Sequence, residues 1–323
     1  MSAPVKKMMI LLVFLLLGAG MSLLFQLPEQ SRDLIVWQLR WPRLLNACVV
    51  GFSLGLLGAA VQTIFHNPLA DTSLTGINSG AALGVAATFL LVPKYLSNVI
   101  PASVLSNPWF LQLLALVAGA LMALVMLFLI RYFAKTTQHI LFVGLALMLF
   151  SSAVMTILMT LQDDLSLQTF LFWSLGSFQL NDPRMLWCAV PMTAIFSVWL
   201  WRQRTSLDLL WLGADAAKSL GLNVARFDAR FWWVAAVWIA LCMSLAGGIG
   251  WIGLASAHFS RRWVGARHAQ LLPCAGLLGA NIAVCADWAA AHIWYPQEVP
   301  VGAMVALLGV VVFLSLIRHK STA

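Results

Sequence analysis

The feature that most constrains the fold is a broken apolar stretch between Arg40 and Ala81. It opens with arginines and continues as a glycine-rich apolar run. A polar turn from His66 to Asp71 then interrupts the run before it resumes. A break at membrane depth frees backbone N–H and C=O groups that lipid cannot satisfy, so such breaks persist only beside protein or a water-filled cavity. The stretch therefore indicates part of a pathway through a membrane, and a simple anchor has no need of it.

The composition supports a polytopic membrane protein. Hydrophobic residues make up 62% of the 323 residues and charged residues only 9%, whereas about a quarter of an ordinary soluble domain is charged. The net charge of +8 requires no nucleic acid as a partner, because basic cytoplasmic loops produce it. The five cysteines show no CxxC spacing, so neither a metal site nor a disulfide framework is predicted. We predict a single transmembrane domain over residues 1–323.

Hydropathy predicts the membrane spans, and charge predicts their direction. The apolar segments lie near 8–27, 44–65, 77–92, 109–130, 138–160, 185–201, 231–259, 269–286 and 299–317. Clusters of Lys and Arg, which favour the cytoplasm, lie at 6–7, 131–135, 202–230, 261–267 and 318–320. Because 202–230 and 261–267 are then on the same side, the segment 231–259 must cross and return. Its glycine-rich centre, Gly247 to Gly253, divides it into one full and one short span.

The resulting prediction is an all-α polytopic membrane protein of about ten transmembrane helices. Broken or short helices are predicted near 66–76 and 247–259, and both termini are predicted to be cytoplasmic. The two breaks fall in corresponding places of the two halves of the chain. This arrangement is typical of transporters built from internal repeats.

The ionisable residues argue against two other classes of membrane protein. They lie at predicted span ends: His66, Asp71, His258, Asp287 and His292. A proton-coupled carrier usually places carboxylates near the bilayer centre, and an intramembrane metallohydrolase needs clustered ligands such as HExxH. A stand-alone secondary carrier is therefore the weaker alternative, and an intramembrane enzyme is the weakest.

Residues 202–230 form the longest cytoplasmic connection. Apolar residues recur in it at helical spacing, and Gly213 and Gly221 punctuate them. The part from Gly213 to Ser219 superficially resembles a phosphate-binding loop but lacks the glycine before Lys218. We predict one or two short amphipathic helices that dock into a cytoplasmic partner, with packing against the bundle as the alternative. Any nucleotide then binds to the partner.

Several cations lie outside the five cytoplasmic clusters. They are Arg32, Arg40, Arg43, Lys94 and Arg184. The first three crowd residues 28–43 against the charge rule. Snorkelling to the membrane interface accounts for them, and so does a docking patch for an acidic partner on the outer face.

Five stretches together resemble the FecCD-type permease family, the membrane subunits of ABC importers for ferric siderophores, haem and cobalamin. The first comprises Arg40-Trp41-Pro42-Arg43, Gln62, Asn67-Pro68-Leu69-Ala70, Gly76 and Gly80-Ala81. The others are Phe172–Ser177, Leu212–Gly221, Gly248–Leu254 with His258 and Arg261, and Glu298–Gly302. They span residues 40 to about 317 in the order and spacing of the family.

The resemblance implies a ten-helix permease subunit of an importer in the bacterial inner membrane. It would pair with a second, identical or homologous permease, bind a cytoplasmic ABC ATPase dimer, and receive substrate from a periplasmic or lipid-anchored binding protein. The subunit itself would not be an enzyme and would bind no metal or cofactor, because ATP-Mg belongs to the partner ATPase. The expected substrate is an iron chelate, with ferric siderophore first and haem or cobalamin as alternatives.

The resemblance also assigns site residues. It implies ATPase coupling by Gly213, Ala214, Ala217, Leu220, Gly221 and Asn223. It implies helix breaks near the pathway at Gln62, Asn67, Pro68, Gly76, Gly80, Gly248, Gly250 and Gly253. Arg40 and Arg43 match the outward arginines of the family, which dock the binding protein.

One departure from the family pattern concerns the outer face. The family usually has an arginine four residues after the aspartate of its ninth span. Here Ala291 stands four residues after Asp287, and His292 follows it. One outward docking charge is therefore either missing or supplied in a pH-dependent way by His292. The departure is compatible with a homodimer. It is equally compatible with a heterodimer in which this chain is the weaker of the two permeases.

Overall fold

The computed structural model describes residues 3–24, 35–95, 107–133, 137–161, 171, 173–179, 182–294, 299–307 and 309–310. Within these ranges the chain is helical and contains no β-strand. The helices are α1 (Ala3–Leu24), α2 (Trp41–Ile64), α3 (Ile77–Tyr95), α4 (Pro108–Phe133), α5 (Thr137–Thr160), α6 (Leu186–Arg202), α7 (Arg204–Trp211), α8 (Ala214–Ser219), α9 (Val224–Ala246), α10 (Ile252–Val264) and α11 (His268–His292). A π-helical turn, Ile35–Arg40, leads into α2.

The predicted all-α membrane fold is confirmed. Seven of the described helices are long and apolar enough to span a membrane, and α3 contributes a shorter apolar helix, Ile77–Val92. Together with the short helix α10 they account for nine of the ten predicted crossings. The tenth predicted span, 299–317, is described over 299–307 and 309–310, with residues 301–307 helical, and its remaining residues lie outside the described ranges.

Helix α2 forms the centre of the bundle, and glycines set how closely its neighbours approach. A methyl group added to Gly51 would lie 2.5 Å from the carbonyl oxygen of Gly279 in α11. One added to Gly55 would collide with the carbonyl of Ala275. Lipid provides no hydrophobic force between spans, so close backbone packing through small residues supplies much of their attraction. The glycine face of α2 therefore determines the position of α11.

The outer helices present apolar side chains away from the bundle. Helix α1 has a mean hydropathy of 2.2 in its most apolar window, of which only 6% is buried. Leu16 of α1, Phe142 of α5 and Ile195 of α6 are all well exposed. This pattern is typical of helices that face lipid.

The basic clusters meet at one end of the bundle, which we call the basic end. Lys7 donates a hydrogen bond to the carbonyl of Trp263. Arg131 lies 3.8 Å from a carboxylate oxygen of Asp228, and the guanidinium of Arg261 stacks over the ring of a tryptophan in α7. Four of the five predicted clusters are thus brought together, and the fifth, 318–320, lies outside the described residues. Their shared location is the arrangement that the charge argument requires.

The predicted division of segment 231–259 is also confirmed. Helix α9 has 23 residues and α10 has 13, which correspond to about 34 Å and about 20 Å. The turn between them uses Gly247 and Trp251, each with φ of +67°. Helix α10 runs past the predicted boundary at residue 259, because its end is set by Gly265, which has φ of +90°.

Candidate functional site

The two helix breaks, far apart in sequence, touch each other. Gly253 lies in the first turn of α10, and a methyl group added there would be 2.9 Å from the carbonyl oxygen of Leu54 in α2. The same methyl group would lie 3.0 Å from Oδ1 of Asp71 in the first break. Nearby, Nε2 of the fully buried Gln62 donates to the carbonyl of Leu254 at 3.3 Å. The predicted break residues Gln62 and Gly253 therefore belong to one site.

The first break is built from turn residues that satisfy its own backbone. Helix α2 ends before His66, which has the unusual φ of +49° for a residue with a side chain. Oδ1 of Asn67 accepts a hydrogen bond from the N–H of Leu69 at 2.9 Å. Pro68 between them has no N–H to satisfy, and Gly76 ends the break with φ of +74°. The predicted residues Asn67, Pro68 and Gly76 thus form the break itself.

Asp71 is the acidic group where the breaks meet. Desolvation raises the pKa of its carboxyl group, and hydrogen bonds, including one from the hydroxyl of Ser73 at 3.0 Å, oppose the shift. Its carboxylate faces the first turn of α10. Negative charge is favourable at that end of a helix.

The second break is held by two other stretches. The N–H of Ser177 donates to the carbonyl of Ala246 at 3.0 Å, and the N–H of Val301 donates to the carbonyl of Gly176 at 3.1 Å. A methyl group added to Gly248 would lie 2.6 Å from the carbonyl oxygen of Ser174. The stretches 173–177, 246–249 and 299–302 are therefore packed together.

Two of the predicted break residues differ from the others. Gly250 has no heavy atom within 4 Å of an added methyl group, so packing does not require glycine there. Gly80 lies inside α3, where an added methyl group would collide with the side chain of Met126 in α4. Gly80 therefore sets the approach of α3 and α4 and does not itself form the break.

The segment 202–230 forms the two short helices α7 and α8 at the basic end. Gly213, with φ of +110°, joins them, and Gly221, with φ of +89°, follows α8. Ala217 is buried against the bundle, whereas Leu212 and Leu220 are 65% and 61% exposed. Nothing lies within 4 Å of a methyl group added to either glycine. We call Leu212 to Gly221 the coupling face, after the role predicted for it, and apart from Ala217 it is little covered by the described residues of this chain.

The remaining predicted coupling residues have distinct local roles. Ala214 is exposed in the first turn of α8. Asn223 caps α9, since its side-chain oxygen accepts a hydrogen bond from the N–H of Arg226 at 2.9 Å. Asn223 therefore fixes where the segment re-enters the bundle.

A polar cluster that the sequence did not predict joins α7 to the helices around it. We call it the junction cluster; it consists of Thr63, His66, Asp208, Arg261 and His268. Oδ1 of Asp208 lies 2.7 Å from Nδ1 of His268 and accepts from the backbone N–H of His268 at 2.8 Å. Nε2 of His268 lies 2.8 Å from the hydroxyl of Thr63. These groups come from α2, α7, α10 and α11 and from the turn after α2.

The two arginines predicted to dock a binding protein lie at the opposite end, and both contact groups within the chain. Nε of Arg43 donates to both carboxylate oxygens of Asp287 at 3.0 Å. The two side chains are only 18% and 10% exposed. Nη1 of Arg40 donates to the carbonyls of Ser22 and Leu23 at the end of α1, at 3.4 and 3.3 Å. The sequence did not predict these contacts, and the docking role stays a prediction.

The side chains of His292 and Arg184 also contact residues that are close to them in sequence. Nδ1 of His292 lies 2.8 Å from the carbonyl oxygen of Trp288, and its ring stacks on that indole. Arg184 forms a bidentate pair with Asp182, and its hydrogen bond lowers the pKa of that carboxyl group. Neither contact tests the predicted docking role of His292.

We expect Arg43→Gln to lower the free energy of unfolding by about 3 kcal/mol, because it leaves the largely buried carboxylate of Asp287 without its guanidinium. Asp287→Asn should cost a similar amount. The double variant should lose much less free energy of unfolding than the two single variants lose together. Unfolding temperatures of the detergent-solubilised proteins would measure this difference. Strictly additive losses would mean that the two side chains do not stabilise the bundle as a pair.

The described residues form a polytopic helical bundle in which two helix breaks touch and the stretch from Leu212 to Gly221 is largely exposed. The chain belongs to the FecCD transport family, whose sequence profile matches residues 5–319. The resemblance stated from the motifs is thereby confirmed, and the chain is a permease of the ABC-importer type.

Relatives agree with this assignment. The chain is 30% identical to the iron-uptake system permease protein FeuC of Bacillus subtilis, over 92% of this chain and 88% of FeuC. It is 33% identical to the vitamin B12 import system permease protein BtuC of Serratia proteamaculans, over 96% of this chain and 93% of BtuC. A solved structure described as an inward-facing ABC transporter of the metal-chelate type superposes with a TM-score of 0.84 and 28% identity, covering 98% of this chain and 99% of the other.

Proposed function

We propose that the chain is the membrane subunit of an ABC importer that carries an iron chelate, with a ferric siderophore as the first candidate. The observation that carries the ATP-driven part is the coupling face, where Leu212 and Leu220 are exposed at the basic end. Exposed apolar side chains that flank a short surface helix, as these two flank α8, are typical of a groove-docking contact. By the positive-inside rule we take the basic end, with the N-terminal helix end and the coupling face, as cytoplasmic, and the cations at 318–320 predict the same side for the C-terminus.

In this proposal the nucleotide binds to a partner. A dimer of cytoplasmic ATPases holds ATP-Mg and engages the coupling faces of two permease subunits, either identical or homologous. Closure of the ATPases moves α7 and α8, and the two adjoining helix breaks allow the pathway helices to tilt. A periplasmic or lipid-anchored binding protein delivers the chelate at the opposite end, where Arg40, Arg43 and His292 are its predicted contacts.

The scarcity of charge inside the bundle supports a chelate as the substrate class. In the described parts of the long spans, charged side chains lie near the helix ends, as Arg43, Arg131 and Asp287 do. A chelate carries its own ligand shell and needs a wide, weakly binding path, whereas a bare cation would need coordinating groups. Vitamin B12 is the second candidate, because the chain is 33% identical to a B12 permease; haem is the third.

The decisive test is mass spectrometry of whatever co-purifies with the tagged permease from its native membranes in mild detergent. We expect an ABC ATPase, with or without a second permease species. Recovery of the subunit alone at high yield would instead favour a self-sufficient carrier driven by an ion gradient. One permease species in the complex would establish a homodimer, and two would establish a heterodimer.

Uptake assays would then identify the substrate. Cells that lack the permease gene, with and without a plasmid-borne copy, would be given ⁵⁵Fe-loaded catecholate and hydroxamate siderophores, iron-labelled haem and ⁵⁷Co-cyanocobalamin. We expect permease-dependent uptake of a siderophore. Uptake of cyanocobalamin alone would overturn the iron assignment while leaving the importer assignment intact.

A further inference from the structure

We propose that the junction cluster is the mechanical link that transmits movement of α7 to both helix breaks. The proposal rests on the proposed function, since it names the residues through which the ATPase would act. Its members are proposed to act through the helices that they join, so they are positioning residues. In the described part of the chain its contacts connect α7 with α2, α10 and α11.

The first link joins α7 to the ends of α2 and α11. Asp208 projects from α7 and bonds both the ring and the backbone N–H of His268, the first residue of α11. The far side of that ring meets the hydroxyl of Thr63, in the last turn of α2. Thr63 and His268 are both fully buried. A displacement of α7 therefore acts on the ends of two spans at once.

The second link reaches the first helix break. Nε2 of His66 donates to the carbonyl of Leu210 in α7 at 2.6 Å. His66 also has the positive φ of +49°, a backbone conformation that side chains disfavour. Strained residues of this kind often occur at switch regions. This hydrogen bond thus attaches α7 directly to His66, which lies at the start of the first helix break.

The third link reaches the helix that begins at the second break. The guanidinium of Arg261 in α10 lies 4.1 Å from the ring centre of Trp211, the last residue of α7. Its Nη2 donates to the hydroxyl of Thr63 at 3.2 Å. Thr63 is therefore the shared member of two links, and its hydroxyl joins α2, α10 and α11.

Hydrogen bonds transmit the movement of one helix to another better than apolar contacts do. Apolar surfaces can slide past each other at small cost, because hydrophobic attraction has no direction. Buried hydrogen bonds are directional, and breaking one leaves an unsatisfied group in a low-dielectric environment. The ends of α2, α7 and α11 should therefore move as one unit when α7 moves.

A matched set of variants tests this inference at Thr63. Thr63→Val keeps the shape and removes the hydroxyl, and Thr63→Ser restores the hydroxyl. Thr88→Val is the control, because Thr88 is also buried and loses the same bond within its helix. Thr63 donates to the carbonyl four residues earlier at 3.0 Å and Thr88 does so at 3.1 Å. Among the described residues, Thr88 has no polar partner on another helix.

The measurement uses the purified complex with its co-purifying ATPase and binding protein, reconstituted in liposomes. The substrate is the chelate that the uptake assays select, and both ATP hydrolysis and chelate transport are recorded. We expect Thr63→Val to assemble and hydrolyse ATP but to transport about tenfold less chelate per ATP, a typical size for a coupling between sites. Thr63→Ser and Thr88→Val should stay within about twofold of the unaltered complex.

Asp208→Asn and His66→Ala extend the test. Asp208→Asn keeps the size of the side chain and removes the charge that holds His268, and we expect a similar loss of transport per ATP. His66→Ala removes the bond to the Leu210 carbonyl at an exposed position, so it remains informative if Thr63→Val does not fold. Transport per ATP equal to that of Thr88→Val in the folded members of this set would overturn the inference.

The outcomes separate this inference from the proposed function. If no ATPase co-purifies with the unaltered permease, the proposed function fails and the inference fails with it. If the ATPase binds and ATP drives transport, while the junction variants transport normally per ATP, only the inference fails. A loss of ATPase binding in the junction variants would show that they act on assembly, and this too would overturn it.

Discussion

Gly58→Val is expected to abolish the folded permease. A methyl group added at Gly58 of α2 would collide with three backbone atoms of Gly253 in α10: the carbonyl oxygen, the carbonyl carbon and Cα. The collision is with backbone atoms, so no side chain can rotate away, and α2 and α10 would have to move apart. We expect a cost above about 4 kcal/mol, which is exceptional for a single substitution and large against a typical total stability of about 5–15 kcal/mol.

Gly20→Val is the matched control for this change. Gly20 lies in α1, and no heavy atom is within 4 Å of a methyl group added there. The same substitution should therefore leave expression and folding near those of the unaltered chain. Size-exclusion chromatography of detergent extracts measures both variants. A monodisperse peak of normal height for Gly58→Val would mean that α2 and α10 are not packed as described.

The paired breaks could be predicted from the sequence because their causes are local. Glycine, proline and asparagine within an apolar run indicate a turn wherever they occur, and Asn67 and Pro68 form the turn as expected. The return of segment 231–259 needed only the positive-inside rule applied to its flanks. Helix ends were less predictable, since α10 continues until the backbone of Gly265 adopts a positive φ.

The junction cluster and the ion pair between Arg43 and Asp287 could not be predicted from the sequence, because their members are distant along the chain. Asp208 and His268 are 60 positions apart, and Arg43 and Asp287 are 244 apart. Each of these residues lies at a predicted helix end or loop, where solvent or lipid headgroups would satisfy its charge. The packing of α2 against α11 brings Arg43 to Asp287, and the packing of α7 against α11 brings Asp208 to His268. The glycines of α2 are typical of close helix packing, but their positions in the sequence do not identify the neighbouring helix.

The double substitution Leu212→Asp and Leu220→Asp is expected to detach the permease from its ATPase. Both side chains are exposed at the coupling face, at 65% and 61%, so the substitutions should leave the bundle folded. In a complex they would place two carboxylates in an apolar groove, where an unpaired charge is strongly disfavoured. Each buried leucine that is lost removes about 1.5–3 kcal/mol of apolar burial. Recovery of the ATPase with the tagged permease should therefore fall at least about a hundredfold, since 1.4 kcal/mol is tenfold in an equilibrium constant.

Ala225→Asp controls for the added negative charge at the same end of the bundle. Ala225 is exposed in the first turn of α9, where a carboxylate is favourable. This variant should retain its ATPase, and both variants should give the same chromatographic profile as the unaltered permease. If the double aspartate variant retains its ATPase as well, the coupling face does not bind it. Because Leu212 directly follows α7 and Leu220 directly follows α8, such a result would also remove the proposed route by which the ATPase moves these two helices.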